Sequence, residues 1–390
     1  MSQPPVVFDV PTDFIVEGIV GQGAYGAVCR ATWDGIDVAI KKIPQYTKSL
    51  ETAKKVLREV EILKHFQHCQ QVVGCHTIFR PKSGDKDLYA VMDYIPADIS
   101  STMKMGVKMD EDVIRYIVCQ LLLALRTMHF YDVMHRDLSC RNILIDEESR
   151  VSVCDFGLSR FFDPEEQLSF GVVTQWYRAP EIITDAKYST QSDVFSVGVI
   201  MGELLLRRHL FPGKPNDPAD QLHRVFQILG TPDLDLFQTP GKPFHTSSAN
   251  AKRYVEMYAQ KKPLKNRIHE QPFAVPHAPE GTDLLTQLLQ FNPEERLSAS
   301  DALKHPWFAP LNDYISQEVA AQDEVHGEKR FAPTIIPTGT KQDEVISMIE
   351  SIVPVYNKDI TEKWRAANAE DEAEGDAEQE AEVAGKAEDQ

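Results

Sequence analysis

The chain has 390 residues, 42% apolar and 26% charged, with a net charge of −18. That length suits a two-lobed enzyme better than one small core. Half of the charge lies in residues 366–390, where ten acids face one lysine, and so acidic a chain has no global electrostatic draw toward nucleic acid or anionic lipid.

The first residues lack the basic and apolar regions of a leader, and no later run approaches the roughly 18 apolar residues of a membrane span. An intracellular protein, cytoplasmic or nuclear, with neither membrane nor nucleic acid as partner, is therefore expected. Six cysteines without a CxxC pair fit reduced thiols rather than a disulfide framework or a zinc site.

Residues 14–92 read as short β-branched runs punctuated by glycine, interrupted by a helix over Leu50–His65 with Val56, Val60 and Leu63 on one face. Beyond Asp93 the pattern turns helical. Asp110 is placed to cap a helix in which Val113, Ile117, Leu121, Leu125 and Met128 recur toward a core. Proline and glycine break up residues 211–243 into loops around a short helix, and helical periodicity returns at 282–291 and 299–304. The expected domains are 1–92, a β-rich lobe with one helix; 93–312, a helical lobe; 313–365, an extension packing on them; and 366–390, a disordered acidic tail.

Gly21-Gln22-Gly23-Ala24-Tyr25-Gly26-Ala27-Val28 has the spacing that lets a strand-turn-strand backbone approach phosphates. Alone it also fits a dinucleotide loop or a plain turn. The next segment decides between them, because Val38-Ala39-Ile40-Lys41 puts a lysine on an apolar strand where a phosphate-pairing cation is needed, and the chain continues in strands rather than a helix. His135-Arg136-Asp137-Leu138, Asn142, Asp155-Phe156-Gly157 and Ala179-Pro180-Glu181 follow in fixed order. Together these supply what phosphoryl transfer from ATP requires, namely metal-binding oxygens, cations and one carboxylate for the acceptor hydroxyl.

On that chemistry Asn142 and Asp155 hold Mg²⁺, Lys41 reaches the α- and β-phosphates and Glu59 pairs with Lys41. Asp137 orients and deprotonates the incoming hydroxyl. The ATP pocket is assigned Val20, Gly21, Gly23, Gly26, Val28, Ala39, Lys41, Met92, Asp93, Ile95, Asp98 and Leu144. The apolar members sandwich adenine, Met92 guards the pocket, and Asp93 and Ile95 offer backbone hydrogen bonds. Core packing is the other reading of the apolar members.

The phrases around Gly21 and Lys41, Leu57-Arg58-Glu59-Val60-Glu61-Ile62-Leu63, and Thr174-Gln175-Trp176-Tyr177-Arg178-Ala179-Pro180-Glu181 resemble the mitogen-activated protein kinases. So do Gln221-Leu222, Ile228-Leu229-Gly230-Thr231-Pro232, Phe291-Asn292-Pro293 and His305-Pro306-Trp307. The resemblance covers residues 14–308 and, more loosely, a helix near 343–353. It implies an α+β bilobal kinase fold with ATP in the cleft, serine/threonine kinase activity, and protein substrates with Ser/Thr-Pro sites selected around Val173, Thr174 and Arg178. It further implies an upstream activating kinase, a phosphatase, and basic docking peptides at Asp313 and, less clearly, Glu318. Arg296 is expected to pair with Glu181, and Asp193 to brace the catalytic loop.

Three departures qualify the resemblance. The family's Thr-x-Tyr falls on Ser169-Phe170-Gly171, and the arginine that accompanies phosphotyrosine is Gln175 here. Arg58, Arg136 and Arg160 still occupy the positions that clamp the other phosphate, which makes phospho-Ser169 the expected guest. Occupation by Asp163, Glu165 or Glu166 in a constitutively active enzyme is the alternative. In the catalytic loop a lysine is replaced by Ser139, and Arg141 could supply the lost charge. A pseudokinase that signals by docking and a small-molecule nucleotide-dependent enzyme are the competing functions.

Overall fold

The computed structural model describes residues 6–23, 26–67, 69–161, 175–184, 189–233, 236, 264–268, 270, 279–328, 334, 336–337, 339–357 and 359–363. Ser169, Val173, Thr174, the acids at 163, 165 and 166, and the tail 366–390 lie outside them. The chain divides into two compact units. One comprises Met1–Gln67, Gly74–Tyr94 and Ile335–Gln390, the other His68–Val73 and Ile95–Thr334. The expected α+β division holds, with a sheet in the first unit and mostly helices in the second.

In the first unit, strands β1 (Phe14–Gly23), β2 (Gly26–Trp33), β3 (Ile36–Ile43), β4 (Cys75–Phe79) and β5 (Leu88–Asp93) form an antiparallel sheet in the order β1-β2-β3-β5-β4. Side chains alternate across a strand, so register assigns the faces. Val28 lies opposite Lys41, Lys41 opposite Ala90, and Ala39 opposite Met92, which puts these five on one face. The other face carries Cys29, Ala31, Trp33, Val38, Ile40, Tyr89 and Val91, which join Phe14, Phe79 and Tyr356 in a buried cluster. Helix α1 (Leu50–His65) begins at Ser49, whose side chain accepts from the Thr52 N–H, and buries Val56, Val60 and Leu63 as the periodicity predicts.

Residues distant in sequence complete this unit. Helix Gln342–Ile352 packs on α1, Tyr46 Oη donates to Glu350 Oε1 at 2.8 Å, and Lys64 Nζ donates to Ile352 O. Arg80 N donates to Pro354 O at 2.8 Å, and Tyr356 N returns a bond to Arg80 O at 3.1 Å. The Tyr356 hydroxyl donates to Asp13 Oδ2 at 2.9 Å. The segment 313–365, expected as a single extension, is thus shared: Asn312–Glu328 belongs to the second unit and Gln342–Ile352 to the first.

The second unit is built on α3 (Glu111–Phe130) and α5 (Gln191–Leu206), which pack together. Asp110 caps α3 as expected, accepting from Val113 N at 2.9 Å. Ile117, Leu121, Leu125 and Met128 are buried, but Val113 is only half-buried and Ile114 takes its place in the core. The first turn lies at the rim, so the apolar stripe starts one residue later. A second correction concerns α3 as a whole, which is long and apolar enough by composition to cross a membrane. With 67% of that stretch buried inside its unit, it is a core helix. The helix expected at 282–291 runs Pro279–Leu288, starting at a proline tolerated in a first turn. The short helix within 211–243 is α6 (Pro218–Leu229), and Ala299–Ala302 is a single helical turn.

Because the aromatic cluster on the outer sheet face needs Tyr356, which is 2% exposed, Tyr356→Ala should destabilise the first unit by about 3–5 kcal/mol, the usual cost of truncating a buried aromatic. Native-state hydrogen exchange tests this. Amides of β2 and β3 should lose protection while those of α3 keep theirs.

Candidate active site

In the second unit the catalytic residues sit on short irregular segments fixed by buried polar groups. Asp193 of α5 is 1% exposed and accepts the N–H groups of His135 and Arg136, each at 2.9 Å, while His129 Nε2 lies 3.2 Å from the same carboxylate. Burial pushes the Asp193 pKa up, but His129 and these donors outweigh it, so the group is held below its ordinary value. Arg136 adopts φ 69°, a left-handed conformation that L residues rarely occupy. Asp137 N donates to His135 Nδ1 at 3.2 Å, which places the ring proton on Nε2, the donor to Cys154 O at 3.0 Å. The catalytic loop is thereby tied to the residue preceding Asp155. Asp155 itself takes φ 66°, a strained non-glycine conformation of the kind concentrated at functional sites.

Asp137 lines a pocket with Tyr177, Arg178, Ala179, Ile182 and Ser196. Burial pushes its pKa up to about 7, the nearby Asp155 charge adds to the rise, and Asn142, Arg178 and Arg141 oppose it. A cation held at Asp155 would cancel part of that effect. Asn142 Nδ2 donates to Asp137 O at 2.7 Å and to Asp137 Oδ2 at 3.1 Å. With its donors turned toward Asp137, the Asn142 carbonyl oxygen is the atom it can offer a cation. Asp98 caps helix α2 (Ile99–Lys104), accepting from Ser101 N at 2.9 Å. It also pairs in register with Leu144.

The first unit holds the other half of the predicted residues. Lys41 Nζ meets Glu59 Oε1 at 2.5 Å, and both side chains are buried. Val28, Ala39 and Met92 share the Lys41 face. Gly26, at φ +137°, is the glycine the turn cannot replace, since a Cβ there would lie 2.0 Å from Lys42 O. At Gly21 and Gly23 a Cβ would meet no tight contact, so the surrounding fold does not itself demand glycine there. Val20 is exposed at a register shift in β1. Asp93 N donates to Gly74 O at 3.1 Å, so the atom it can offer a ligand is its carbonyl rather than its N–H. Ile95 begins the second unit's main stretch.

Of the proposed phosphate clamp, Arg58 lies in the first unit on α1, while Arg136 and Arg160 lie in the second. There Arg136 Nη1 donates to Leu158 O at 3.3 Å and Arg160 Nη1 to Ser159 O at 3.1 Å. Arg141 is exposed and Ser139 buried. Glu318 is half-buried, and Gln71 Nε2 donates to it at 2.7 Å. Asp313 is exposed in the first turn of helix Asn312–Glu328.

The sequence profile of the protein kinase domain matches residues 14–308. Mitogen-activated protein kinase 13 of Bos taurus is 36% identical over 361 residues, covering 90% of this chain and 92% of that protein. The protein of the same name from Homo sapiens is 36% identical over 321 residues, covering 81% and 83%. Mitogen-activated protein kinase KSS1 of Saccharomyces cerevisiae is 34% identical over 325 residues, covering 79% and 85%. The chain belongs to the mitogen-activated protein kinase family. It is a serine/threonine protein kinase.

Within this mitogen-activated protein kinase, sequence reasoning missed the residues that hold the acceptor pocket from behind. Ser196 Oγ donates to Tyr177 O at 2.8 Å, and Tyr177 Oη donates to the fully buried Glu203 at 2.8 Å. Glu203 also lies 3.1 Å from His209 Nδ1 and accepts from Cys140 Sγ at 3.5 Å. A lone acid in the apolar run of α5 was the one available signal. Elsewhere Arg296 and Glu181 form the expected pair, at 2.9 and 3.1 Å, with both side chains fully buried. Breaking such a pair strands a buried charge. Arg296→Ala should therefore lower stability by about 3–5 kcal/mol, read as a fall in the denaturation midpoint, and the loss should exceed that of Arg296→Ala combined with Glu181→Gln.

Proposed function

We propose that this kinase phosphorylates serine or threonine followed by proline, and that a phosphate on Ser169 raises its activity. The observation that carries the catalytic part is Asp137 in a pocket with Arg178 and Tyr177, beside Asn142 and below the strained Asp155 backbone. Asp137 orients the acceptor hydroxyl and takes its proton. Lys41, aligned by Glu59, binds the α- and β-phosphates of ATP over the open backbone at Gly21 and Gly23. The family resemblance is what assigns the nucleoside to Val28, Ala39 and Met92 on the sheet with the Asp93 carbonyl as an acceptor for the base, and it assigns Ile95, Asp98 and Leu144 to the same ligand.

Asn142 and Asp155 offer an amide oxygen and a carboxylate, hard donors that suit Mg²⁺. The ion, when bound, neutralises charge on the transferring phosphoryl group. Ser139 is buried and too short to reach a phosphate, whereas Arg141 is exposed two residues further on, and this supports Arg141 as the replacement cation. Proline selectivity follows from the resemblance around Val173, Thr174 and Arg178, where a position that offers no acceptor favours a residue without an N–H. Arg58, Arg136 and Arg160 are the candidate partners of phospho-Ser169, and Asp313 is the candidate docking acid for basic peptides on substrates, activators and phosphatases. An intracellular setting belongs to the same proposal, supported by six free thiols.

The buried Ser139 also favours a second reading, a nucleotide-binding scaffold with little phosphotransfer. Transfer from labelled ATP to a Ser-Pro/Thr-Pro peptide library separates the two. Transfer is expected from the wild type and should fall at least 100-fold in Asp137→Ala, while absence of transfer with Ser169 phosphorylated would favour the scaffold.

In protein isolated from its native cell, Ser169→Ala should lower kcat at least tenfold; unchanged activity would remove the phosphosite. Arg141→Ala should reduce kcat by more than it weakens ATP binding, and equal losses in both would count against the compensating charge.

A further inference from the structure

Directly after residues 162–174 the chain makes a short helical turn, Gln175–Tyr177, whose side chains are tied into one neighbouring turn. Gln175 is 7% exposed. Its Nε2 donates to Lys214 O and, at 3.3 Å, to Asp217 O, so both amide hydrogens are engaged. Trp176 Nε1 donates to Gly213 O at 2.7 Å. The backbone carbonyl of Gln175 accepts from Arg178 N at 3.2 Å, and Arg178 lines the pocket of Asp137.

The turn that receives these bonds is itself firmly held. Asp217 caps α6, accepting from Asp220 N at 3.0 Å, and Asp220 Oδ2 accepts from Lys214 N at 2.8 Å. Gly213 sits so close to α6 that a Cβ would lie 2.9 Å from the Gln221 Cα. α6 in turn buries Leu222, Val225 and Phe226. The anchoring bonds of Gln175 and Trp176 are amide or indole N–H to backbone carbonyl. They involve no charge, so adding or removing a phosphate elsewhere changes their energy little.

We infer that Gln175 is a positioning residue for the peptide acceptor: it pins the Tyr177–Arg178 wall of the pocket to the 213–217 turn by neutral hydrogen bonds, so the wall assembles without a phosphate in residues 162–174. The inference rests on the placement of Asp137 and Arg178 at the acceptor. Its consequence is a division of labour, in which phosphorylation of that segment changes kcat and Gln175 sets the affinity for peptide.

The test uses the full chain and a Thr-Pro peptide carrying a fluorophore, with peptide KM and kcat measured by turnover and peptide Kd by fluorescence anisotropy. Gln175→Met keeps the length and removes both donors; it should raise peptide KM and Kd about five- to twentyfold, with the KM for ATP unchanged and kcat within twofold. Trp176→Phe, which deletes one N–H, should move peptide affinity in the same direction by a smaller factor and guards against a folding failure of the first variant. Phosphatase-treated wild type should keep its peptide Kd. Unchanged peptide affinity in both variants, parallel loss of ATP and peptide affinity, or a peptide Kd that weakens several-fold on phosphatase treatment would each overturn the inference. If the wild type transfers no phosphate, the catalytic proposal fails, and the anisotropy arm still decides the role of Gln175.

Discussion

A single buried carboxylate sets the geometry of the catalytic loop. Asp193 receives two backbone N–H groups from consecutive residues, and the second of them, Arg136, adopts the left-handed conformation. Such a conformation costs on the order of 1–3 kcal/mol for a residue with a Cβ. Two hydrogen bonds to an ionised acceptor, each contributing about 1.5–3 kcal/mol, are enough to offset it. Everything downstream inherits this arrangement. His135 is turned so that one nitrogen receives Asp137 N and the other reaches Cys154 O, and Asp137 and the residue preceding Asp155 thereby share one connection.

Among the described residues the second unit holds three buried acids, Asp193, Glu181 and Glu203, that do different work. Asp193 organises backbone donors, and Glu181 is neutralised by Arg296 within a cage of carbonyls from Gln290 and Gln191. Glu203 gathers a phenol, a thiol and an imidazole. Each is satisfied by several partners, as a low-dielectric interior demands. The segment Gln175–Tyr177 is held from α5 and from the 213–217 turn at once.

What could be read from the sequence followed from contrast between polar and apolar positions. Helix α1 was legible because Val56, Val60 and Leu63 form a clean stripe, and Asp110 announced α3. The kinase family was legible because its motifs occur in a fixed order and their residue types match the chemistry. Where contrast vanished, so did the signal. Helix α5 is buried on all sides from Ser192 to Leu204, so it shows no stripe and its span could not be assigned. The hydrogen bonds from Gln175 to Asp217 and from Tyr177 to Glu203 join residues 42 and 26 positions apart, and no local pattern encodes such pairings. The division of the C-terminal extension between two units was hidden for the same reason, since Tyr356 reaches back 343 residues to Asp13.

That last pairing bears on how the polypeptide is made. The sheet that carries Lys41 emerges early in synthesis, yet its aromatic outer layer stays open until Tyr356 leaves the ribosome. The second unit, whose stretches all precede residue 335, has by then been translated. Domains ordinarily fold in the order of their emergence; here the first segment to appear is the last to be closed, and a ribosome stalled before residue 340 would present Phe14 and Phe79 to chaperones without the ring of Tyr356 that packs on them.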